Sequence, residues 1–475
     1  MSQADALSLD GALDAAIGYD KKYASAIFEA RSAQYLPTIA RAGLLPKLSV
    51  TGFQANNNLT QTGADAFGSA STTQQNYTAK SYAGQLTQPL LNLAAITGYL
   101  QSKKQEKAAQ QKLAINLNEL KTKVIEAYCA LASAQEVYLD TAKELRTLID
   151  QEKIVSTKQK AGAASTTDLE EVIYAKLQTQ ATLDDANNAL MQAKIDLETL
   201  TGQAIARNEP LELPVVYLSH TKKLDELLSI AKESNPKILY QQRNYQSALY
   251  EQKKNQAGYA PTIDIVGYQA YQNSNTISTV GQKSAQGYLG LQLNIPISTG
   301  GDTYGKERQA AFYAQSQRLL VESEADEVQA SVKKMYSQSQ IATEKLTTLQ
   351  AQTRSAEQLY LSFVKQRELG LKSTYDLLIA TRRKFQSERD LAKTKYERIG
   401  SLKKLEVIVS DERLMWSRAK FIQNPIVLAN VDTSIRKSKR SIEARAPVKI
   451  IIFKEKKWHY LHDAGDLESV FRDAF

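Results

Sequence analysis

The sequence predicts a mainly α fold with a small β part, and three observations predict it. Only 10 prolines and 21 glycines interrupt 475 residues rich in Ala, Gln, Lys and Leu, a composition that favours long helices. The helical segments have the heptad spacing of coiled coils. Each half of the chain also carries two segments of strand character, and the second half repeats the first. We therefore expect long antiparallel coiled-coil helices, four strands and an internal duplication.

The duplication sets the expected domain organisation. Residues 9–54 align without a gap on residues 224–269, so that Leu9 falls on Leu224 at an offset of 215. Each repeat has the order helix, strand, loop, strand, long helix, turn, helix. The expected divisions are a first repeat at 1–202, an inter-repeat equatorial segment at 203–222, a second repeat at 223–410, and an equatorial segment with a tail at 411–475.

The long helices carry an apolar seam on one face. The seam steps by four and three residues through Leu113, Leu117, Leu120, Val124, Ala127, Leu131, Ala134 and Tyr138. Further apolar residues off the seam, such as Ile125 and Ala132, predict a second covered face. The run from about 94 to 160 spans roughly 100 Å as a helix. It matches the summed length of two shorter helices expected at about 7–44 and 167–200, and the second repeat predicts helices at about 223–259, 302–369 and 375–408.

The strands are the candidates for crossing a membrane. No stretch approaches the roughly 18 consecutive apolar residues of a spanning helix, so any crossing must use strands. The second repeat alternates apolar and polar residues over about ten positions, the length of a transmembrane strand. Segments 55–79 and 272–286 are polar and nearly free of charge, and we expect exposed loops there. Four strands cannot close a barrel, because the smallest barrels have about eight, so several chains must share one. The alternating apolar residues are Leu289, Leu291, Leu293 and Ile295.

Composition also excludes function classes. The formal charge of +9 comes from Lys and Arg interleaved with Glu and Asp, the pattern of a solvated helix face, so no nucleic-acid partner is expected. Cys129 stands alone and is expected to be a buried small hydrophobe. Gly300-x-x-x-x-Gly305-Lys306 resembles a phosphate-binding loop, but Glu307 replaces the required Ser or Thr, and we expect a corner between strand and helix. No enzyme activity, cofactor or metal site is predicted.

Several motifs together resemble those of a known family. The motifs are Leu45-Pro46-Lys47-Leu48 and Ala260-Pro261-Thr262-Ile263 entering a strand, Gln88-Pro89-Leu90 and Ile295-Pro296-Ile297 leaving one, and the repeated turns Gly162-x-x-Ser165-Thr166-x-Asp168 and Gly370-x-x-Ser373-Thr374-x-Asp376. Over residues of about 7–410 the chain thus resembles the TolC-like outer-membrane efflux proteins of type I secretion and multidrug efflux.

The resemblance implies a fold, a location and partners. The implied protein is a homotrimer in the outer membrane of a Gram-negative bacterium, with four strands from each chain in a shared transmembrane β-barrel. The helices would form an α-barrel that extends into the periplasm. The implied duct exports proteins or small toxic molecules with a periplasmic adaptor (membrane fusion) protein and an inner-membrane ABC or proton-driven transporter, in contact with outer-membrane lipid. The start of the chain shows no apolar export signal, although Ala4 and Ala6 have the spacing of a signal's cleavage end.

The resemblance also implies site residues at the two turns. Gly162, Ala163, Gly370 and Leu371 occupy the tips that contact the adaptor. The entrance network falls on Asp168, Lys372 and Asp376, with Arg367 at the family's gate tyrosine and Ile379 at its second aspartate. The two glycines are explained equally well by helix ends that need a left-handed residue, and Ser165 or Ser373 by helix capping.

One alternative of another class stays open from the sequence. A soluble coiled-coil scaffold or interaction protein, without a transmembrane barrel, would explain the helical seam. Within the duct interpretation, the substrates are either secreted polypeptides or small toxic molecules.

Overall fold

The computed structural model describes most of the chain. The described residues are 7–64, 68, 70–206, 211–212, 223–276, 279–409, 450–454 and 457–461. The chain divides into two compact units, Met1–Leu414 and Met415–Phe475. Among the described residues, none of the helices combines the length and the apolar character needed to cross a membrane.

The two repeats have the same order of elements. In the first repeat these are α1 (Leu9–Tyr19), α2 (Lys21–Ala33), α3 (Leu36–Arg41), a short turn of 3-10 helix (Ala42–Leu44), β1 (Lys47–Ala64), β2 (Ala70–Leu91), α4 (Leu93–Lys160) and α5 (Thr166–Thr201). In the second repeat they are α6 (Leu224–Ser234), α7 (Pro236–Gln256), a second 3-10 turn (Ala257–Tyr259), β3 (Thr262–Thr276), β4 (Thr279–Asn294), α8 (Asp302–Glu368) and α9 (Thr374–Val409). The predicted duplication and the mainly helical fold are confirmed.

The helices that open each repeat are broken, and the prediction of one continuous helix at 7–44 and at 223–259 is wrong. Asp20 adopts an extended ψ of 116°, and its carboxylate accepts a hydrogen bond from the Tyr23 N–H at 2.6 Å. Asn235 caps α7 in the same way, accepting from the Lys237 N–H at 2.9 Å, and Pro236 follows it. A side chain that caps a new helix favours ending the previous one. The offset of 215 places the two breaks at equivalent positions.

The two long helices form the shafts of helical hairpins. α4 has 68 residues and α8 has 67, which gives each a length of about 100 Å. α4 runs antiparallel to α5, and α8 to α9. On α4 the predicted seam is buried at Leu120, Val124, Ala127 and Leu131, and the predicted second covered face is buried at Ile125 and Ala132. Burial on two faces shows that α4 has helical neighbours on both sides.

The mid-length region of the hairpins holds the inter-repeat chain. The Tyr128 side chain is fully buried, and its hydroxyl lies 2.7 Å from the carbonyl oxygens of both Leu7 and Glu212. Leu7 and Leu211 form an isolated parallel bridge. One α4 tyrosine therefore fixes two distant chain segments. At the corresponding level of the second repeat, an apolar cluster joins α6, α7, α8 and α9 through Leu227, Ile238, Val332, Leu405 and Val409.

The four strands form one antiparallel sheet in the order β1-β2-β3-β4. Its register aligns Leu48 with Leu86, and Gly267 with both Leu86 and Leu289. Because side chains alternate along a strand, this register collects apolar residues on one face of all four strands. Within the single chain that face is exposed on β1 and β4, up to 78% at Val50, and half-buried on β2 and β3. Its residues are Leu48, Val50, Leu86, Ile263, Ile265, Leu289, Leu291 and Leu293.

The strands are longer than expected, and the prediction of loops at 55–79 and 272–286 is wrong. β1 has 18 residues and β2 has 22, so most of the polar segment between them is paired strand. The polar side chains suggested a loop. However, the hydrogen bonds of an antiparallel pair join backbone groups and do not depend on side-chain polarity, and Thr, which is frequent here, favours strands. The apolar face occupies only the half of each strand next to the helices.

The second unit is described only at one hairpin. β5 (Ile450–Lys454) pairs antiparallel with β6 (Lys457–Leu461). β5 lies within the apolar run at 448–453, of which residues 448 and 449 are outside the described residues.

Candidate functional site at the two hairpin ends

The end of the first hairpin is a tight glycine turn. Gly162 follows α4 with a φ of +73°. The Ala163 N–H donates to the Lys158 carbonyl at 2.7 Å, and the Gly162 N–H donates to the Gln159 carbonyl at 2.9 Å. These two bonds are the Schellman pattern, which satisfies the last carbonyls of a helix with a left-handed residue.

The end of the second hairpin has the same backbone. Gly370 has a φ of +76°. The Leu371 N–H donates to the Gln366 carbonyl at 2.9 Å, and the Gly370 N–H donates to the Arg367 carbonyl at 3.2 Å. A Cβ built on either turn glycine meets nothing within 4 Å. The left-handed φ therefore requires glycine at both turns, since no packing contact with the described residues does.

Each returning helix begins with a reciprocal cap. The Asp168 N–H donates to the Ser165 hydroxyl at 3.0 Å, and the Ser165 N–H donates to the Asp168 carboxylate at 3.1 Å. Ser373 and Asp376 repeat both bonds, each at 3.1 Å. The predicted capping by Ser165 and Ser373 is confirmed. A carboxylate in the first turn of a helix also faces the positive end of the helix dipole.

A polar relay joins the two hairpin ends. The Arg367 guanidinium donates to the Thr374 hydroxyl at 2.6 Å, and that hydroxyl lies close enough to the Asp168 carboxylate to lower its pKa. Thr374 is only 4% exposed. Hydrogen bonds from Ser165 and then Thr374 hold the pKa of Asp168 below its ordinary value, and the positive charge of Arg367 adds to the effect. Two predicted entrance residues, Asp168 and Arg367, are thus brought together across the hairpins.

The other two predicted entrance residues meet within the second hairpin. The Lys372 ammonium lies 4.0 Å from the Asp376 carboxylate and 4.7 Å from the centre of the Phe363 ring. Hydrogen bonds from Ser373 lower the pKa of Asp376, and Lys372 lowers it further. The predicted tip residues project outward: Leu371 is 71% exposed, and Gly162, Ala163 and Gly370 are exposed.

Sequence reasoning missed the role of Thr374. Its motif identified it as a residue at a helix start, and the equivalent Thr166 is exposed. Its partner Asp168 belongs to the other repeat, so no local spacing predicts the bond. The only available signal was that Asp168, Arg367 and Thr374 all lie at turns that the duplication places at the same end of the molecule.

Between the hairpin ends and the sheet, a series of polar contacts joins α4 to α9, and we call this series the α4–α9 seam. Its innermost member is the ion pair between Glu144 and Arg389, whose side chains are 7% and 9% exposed. The other contacts are Gln151 to Thr381 at 3.1 Å, Glu136 to both Lys395 and Tyr396 at 2.7 Å, and Glu126 to Lys404 at 2.6 Å. The seam holds the two hairpins side by side in a fixed axial register.

The glycine motif before α8 forms a corner, as predicted. Gly300 and Gly301 have φ of +61° and +90°, and Gly301 caps α8. Lys306 forms an ion pair with Asp302 at 2.7 Å. In the part of the chain that the structure describes, no three His, Cys, Asp or Glu side chains are grouped to hold a metal ion.

An antiparallel sheet with one apolar face, joined to hairpins of about 100 Å, defines the class of outer-membrane channels that continue a β-barrel into a helical barrel. The chain belongs to the outer membrane efflux protein family, whose sequence pattern matches residues 13–203 and 227–409. Its location is therefore the outer membrane, extending into the periplasm, and it is an export duct of the TolC-like type. The alternative of a soluble scaffold is set aside.

Individual relatives agree with the family. The chain is 25% identical to the proteases secretion protein PrtF of Dickeya chrysanthemi over 83% of its own length and 86% of the relative's. It is also 25% identical to the alkaline protease secretion protein AprF of Pseudomonas aeruginosa, over 83% and 82% of the two chains. The solved outer membrane protein VceC of Vibrio cholerae has the same fold, with a TM-score of 0.71, 15% identity, and coverage of 84% of this chain and 95% of that one. By their names, the first two are protease secretion proteins and the third is an outer membrane protein.

Proposed function

We propose that three copies of this chain form the duct and that residues 1–202 and 223–410 each supply one hairpin to its wall. The observation that carries the oligomer is the open sheet, because β1 and β4 each have one hydrogen-bonded neighbour among the strands that the structure describes. An unpaired edge is not tolerated in lipid, and three sheets leave a lumen where two would fill it. In this proposal residues 203–222 and the early part of 411–475 form a belt around the middle.

Light scattering of the detergent-purified protein tests the oligomer. A protein mass of about three chains is expected, because three four-stranded sheets are needed to close a barrel with a lumen. A monomer that stays in solution without detergent contradicts the shared barrel.

In the same proposal, the hairpin ends form the closed periplasmic entrance. The relay of Arg367, Thr374 and Asp168 supports this role, since it ties the two hairpins of one chain together where the shafts end. Lys372 and Asp376 lie partly exposed at the same level, where they can meet a neighbouring copy. Opening then requires that the partly exposed charged groups of these links exchange their partners for water, and the chain itself supplies no catalytic step.

Planar-bilayer conductance tests the entrance. Arg367→Ala removes the charge at the head of the relay, and we expect a several-fold rise in single-channel conductance because the ends part more readily. Lys123→Ala, an exposed change on the shaft of α4, serves as the matched control. Equal conductance of the two variants contradicts the entrance role.

The exposed turns are proposed to contact a periplasmic adaptor that leads to an inner-membrane pump. Leu371 is a large apolar side chain left 71% exposed on a turn, and the neighbouring glycines leave the backbone accessible. A photoreactive residue at Ala163 or Leu371 in living cells should crosslink to an adaptor identified by mass spectrometry. The same residue at Lys123 should not, and identical products from all three positions contradict the contact.

The proposed cargo is polypeptide, delivered by an ABC transporter in a type I system. The similarity to PrtF and AprF, whose names describe protease secretion, supports polypeptides over small toxic molecules. Deleting the chain from its host should abolish secretion of one or more proteins into the medium. A deletion that leaves the secreted proteins intact but lowers resistance to toxic compounds would favour the proton-driven multidrug alternative.

A further inference from the structure

The helix ends next to the strands carry an excess of positive charge. In residues 33–46, 92–105, 248–261 and 295–308 the sequence has seven cationic and three acidic residues. We call the seven the cationic collar: Arg41, Lys103, Lys104, Lys253, Lys254, Lys306 and Arg308. These four segments flank the strands, so this excess lies at the sheet end of the helices.

The acidic residues of these segments balance less than half of the collar charge. Glu251 pairs with Lys254 at 3.2 Å and Asp302 pairs with Lys306 at 2.7 Å. With Glu307 counted as well, three acidic residues face seven cations, and a net charge of four remains. Arg41, Lys103 and Arg308 are exposed on three different helical segments. The collar thus presents positive charge around the sheet end of the protomer.

The collar charges lie next to aromatic rings. Lys103 lies 4.6 Å from the centre of the Tyr99 ring, Lys253 lies 5.5 Å from that of Tyr250, and Arg308 lies 5.8 Å from that of Phe312. Further rings stand exposed at the same level, at 66% for Tyr35, 61% for Tyr304 and 49% for Tyr259. Rings that are half apolar and half polar, mixed with long cationic side chains, are typical of the boundary between hydrocarbon and water.

The depth of the collar fits the headgroup layer. The apolar face of the sheet ends where the helices begin, so the hydrocarbon boundary lies at that level. Arg308 lies about 9 Å along α8 from its first residue, and Lys103 lies about 15 Å along α4. The headgroup layer is about 6 Å thick, and a charge acts over a Debye length of about 8 Å in physiological salt. With their long side chains, the collar residues reach that layer, whereas the hairpin ends lie about 100 Å away.

We propose that the cationic collar binds anionic phospholipid headgroups of the membrane leaflet that faces the periplasm. The collar begins where the apolar face of the sheet ends, and its charge is complementary to phosphatidylglycerol and to cardiolipin. This contact anchors the depth of the barrel and is independent of cargo, adaptor and pump.

Lipid retention by the purified protein tests the proposal. Protein in mixed micelles with equal phosphatidylglycerol and phosphatidylcholine is analysed by native mass spectrometry, which counts each lipid bound. The collar variant combines Arg41→Gln, Lys103→Gln, Lys104→Gln and Arg308→Gln. The control variant removes four exposed charges remote from the strands, Lys123→Gln, Lys153→Gln, Lys333→Gln and Arg354→Gln. Both variants lose the same net charge, and size-exclusion chromatography checks that each keeps the parent assembly.

The collar variant should lose preference for phosphatidylglycerol by about tenfold or more, since each cation near an anionic surface contributes on the order of 1 kcal/mol. The control should keep the preference of the parent protein. The unmodified protein should lose the preference in 0.5 M salt, which tests the charge contact even if the collar variant does not fold. Equal preference in collar and control variants, or a parent protein with no preference because the collar faces the lumen, overturns the proposal.

Discussion

The α4–α9 seam and the hairpin ends join the same two hairpins with the same chemistry in different surroundings. In the seam, Glu144 and Arg389 are less than 10% exposed and form a direct ion pair. At the ends, Asp168 and Arg367 are partly exposed and are joined through the Thr374 hydroxyl. Charges held in a low dielectric are costly to separate, whereas exposed charges exchange partners with water at little cost.

This difference gives the two regions different roles: the α4–α9 seam holds the two hairpins together, and the hairpin ends can open. Breaking the seam leaves a buried charge without a partner, so the seam fixes the register of the shafts. Breaking the relay at the ends exposes groups that water can solvate. The hairpins can therefore separate at their ends while they stay joined above Gln151 and Thr381.

The largest expected effect comes from removing one partner of the buried pair. Glu144→Ala leaves the Arg389 guanidinium buried and unpaired, which costs about 3–5 kcal/mol. Hydrogen exchange should show faster opening of α4 and α9 around this level, a local measure that suits a protein whose global unfolding is not two-state. The ends, which have their own links, should keep the exchange rates of the parent protein.

A paired replacement serves as the control. Glu144→Leu combined with Arg389→Met removes both charges and keeps the volume, and such exchanges are often neutral or stabilising. The double variant should recover most of the lost protection. If it exchanges as fast as Glu144→Ala, packing and not the unpaired charge holds the seam.

A smaller effect is expected from the turn glycines, and it should be equal at the two ends. Gly162→Ala and Gly370→Ala each force a side chain into the left-handed region, at a cost of about 1–2 kcal/mol. No neighbouring atom of the chain opposes the added methyl group at either site. Exchange of the last helical turn at each end should rise by the same factor. A much larger rise at one end would show that this glycine also has a close contact in the assembled protein.

The sequence predicted the ends better than the seam. Gly162 and Gly370 recur with Ser and Asp at fixed spacing, and the physics of helix ends gives that motif one local structure. Glu144 and Arg389 belong to different repeats, and each has oppositely charged neighbours in its own helix, so nothing local predicts their pairing. The breaks at Asp20 and Asn235 were predictable as caps but were hidden by continuous apolar periodicity. The strands were predicted too short because polar residues in a paired ladder resemble a loop.

Removing the Thr374 hydroxyl from the relay should cost less free energy than the glycine substitutions. Thr374→Val keeps the shape of a buried side chain and removes the hydroxyl that accepts from Arg367 and that lowers the pKa of Asp168. The expected loss is about 1 kcal/mol, because both charged groups can turn to water. Hydrogen exchange should rise at both turns, and single-channel conductance should rise with it. Thr166→Val, at the equivalent exposed position, should change neither.

The smallest effect is a pH dependence of opposite sign in the two regions. The folded pKa values of Asp168 and Asp376 are lowered, so their stabilisation is present above the unfolded value of about 3.9 and is lost as the pH falls through the lower folded values. Beside the seam, burial raises the pKa of Glu388, so its charged form destabilises α9 at neutral pH. Lowering the pH towards about 4.5 relieves that cost before the ends are affected.

Hydrogen exchange, corrected for its intrinsic pH dependence, should therefore slow near Glu388 between neutral pH and about 4.5, and accelerate at the turns only below about 4. Glu388→Gln should remove the first change and leave the second. If both regions lose protection together as the pH falls, the seam and the ends form one cooperative unit, and the separation between a holding part and an opening part is wrong.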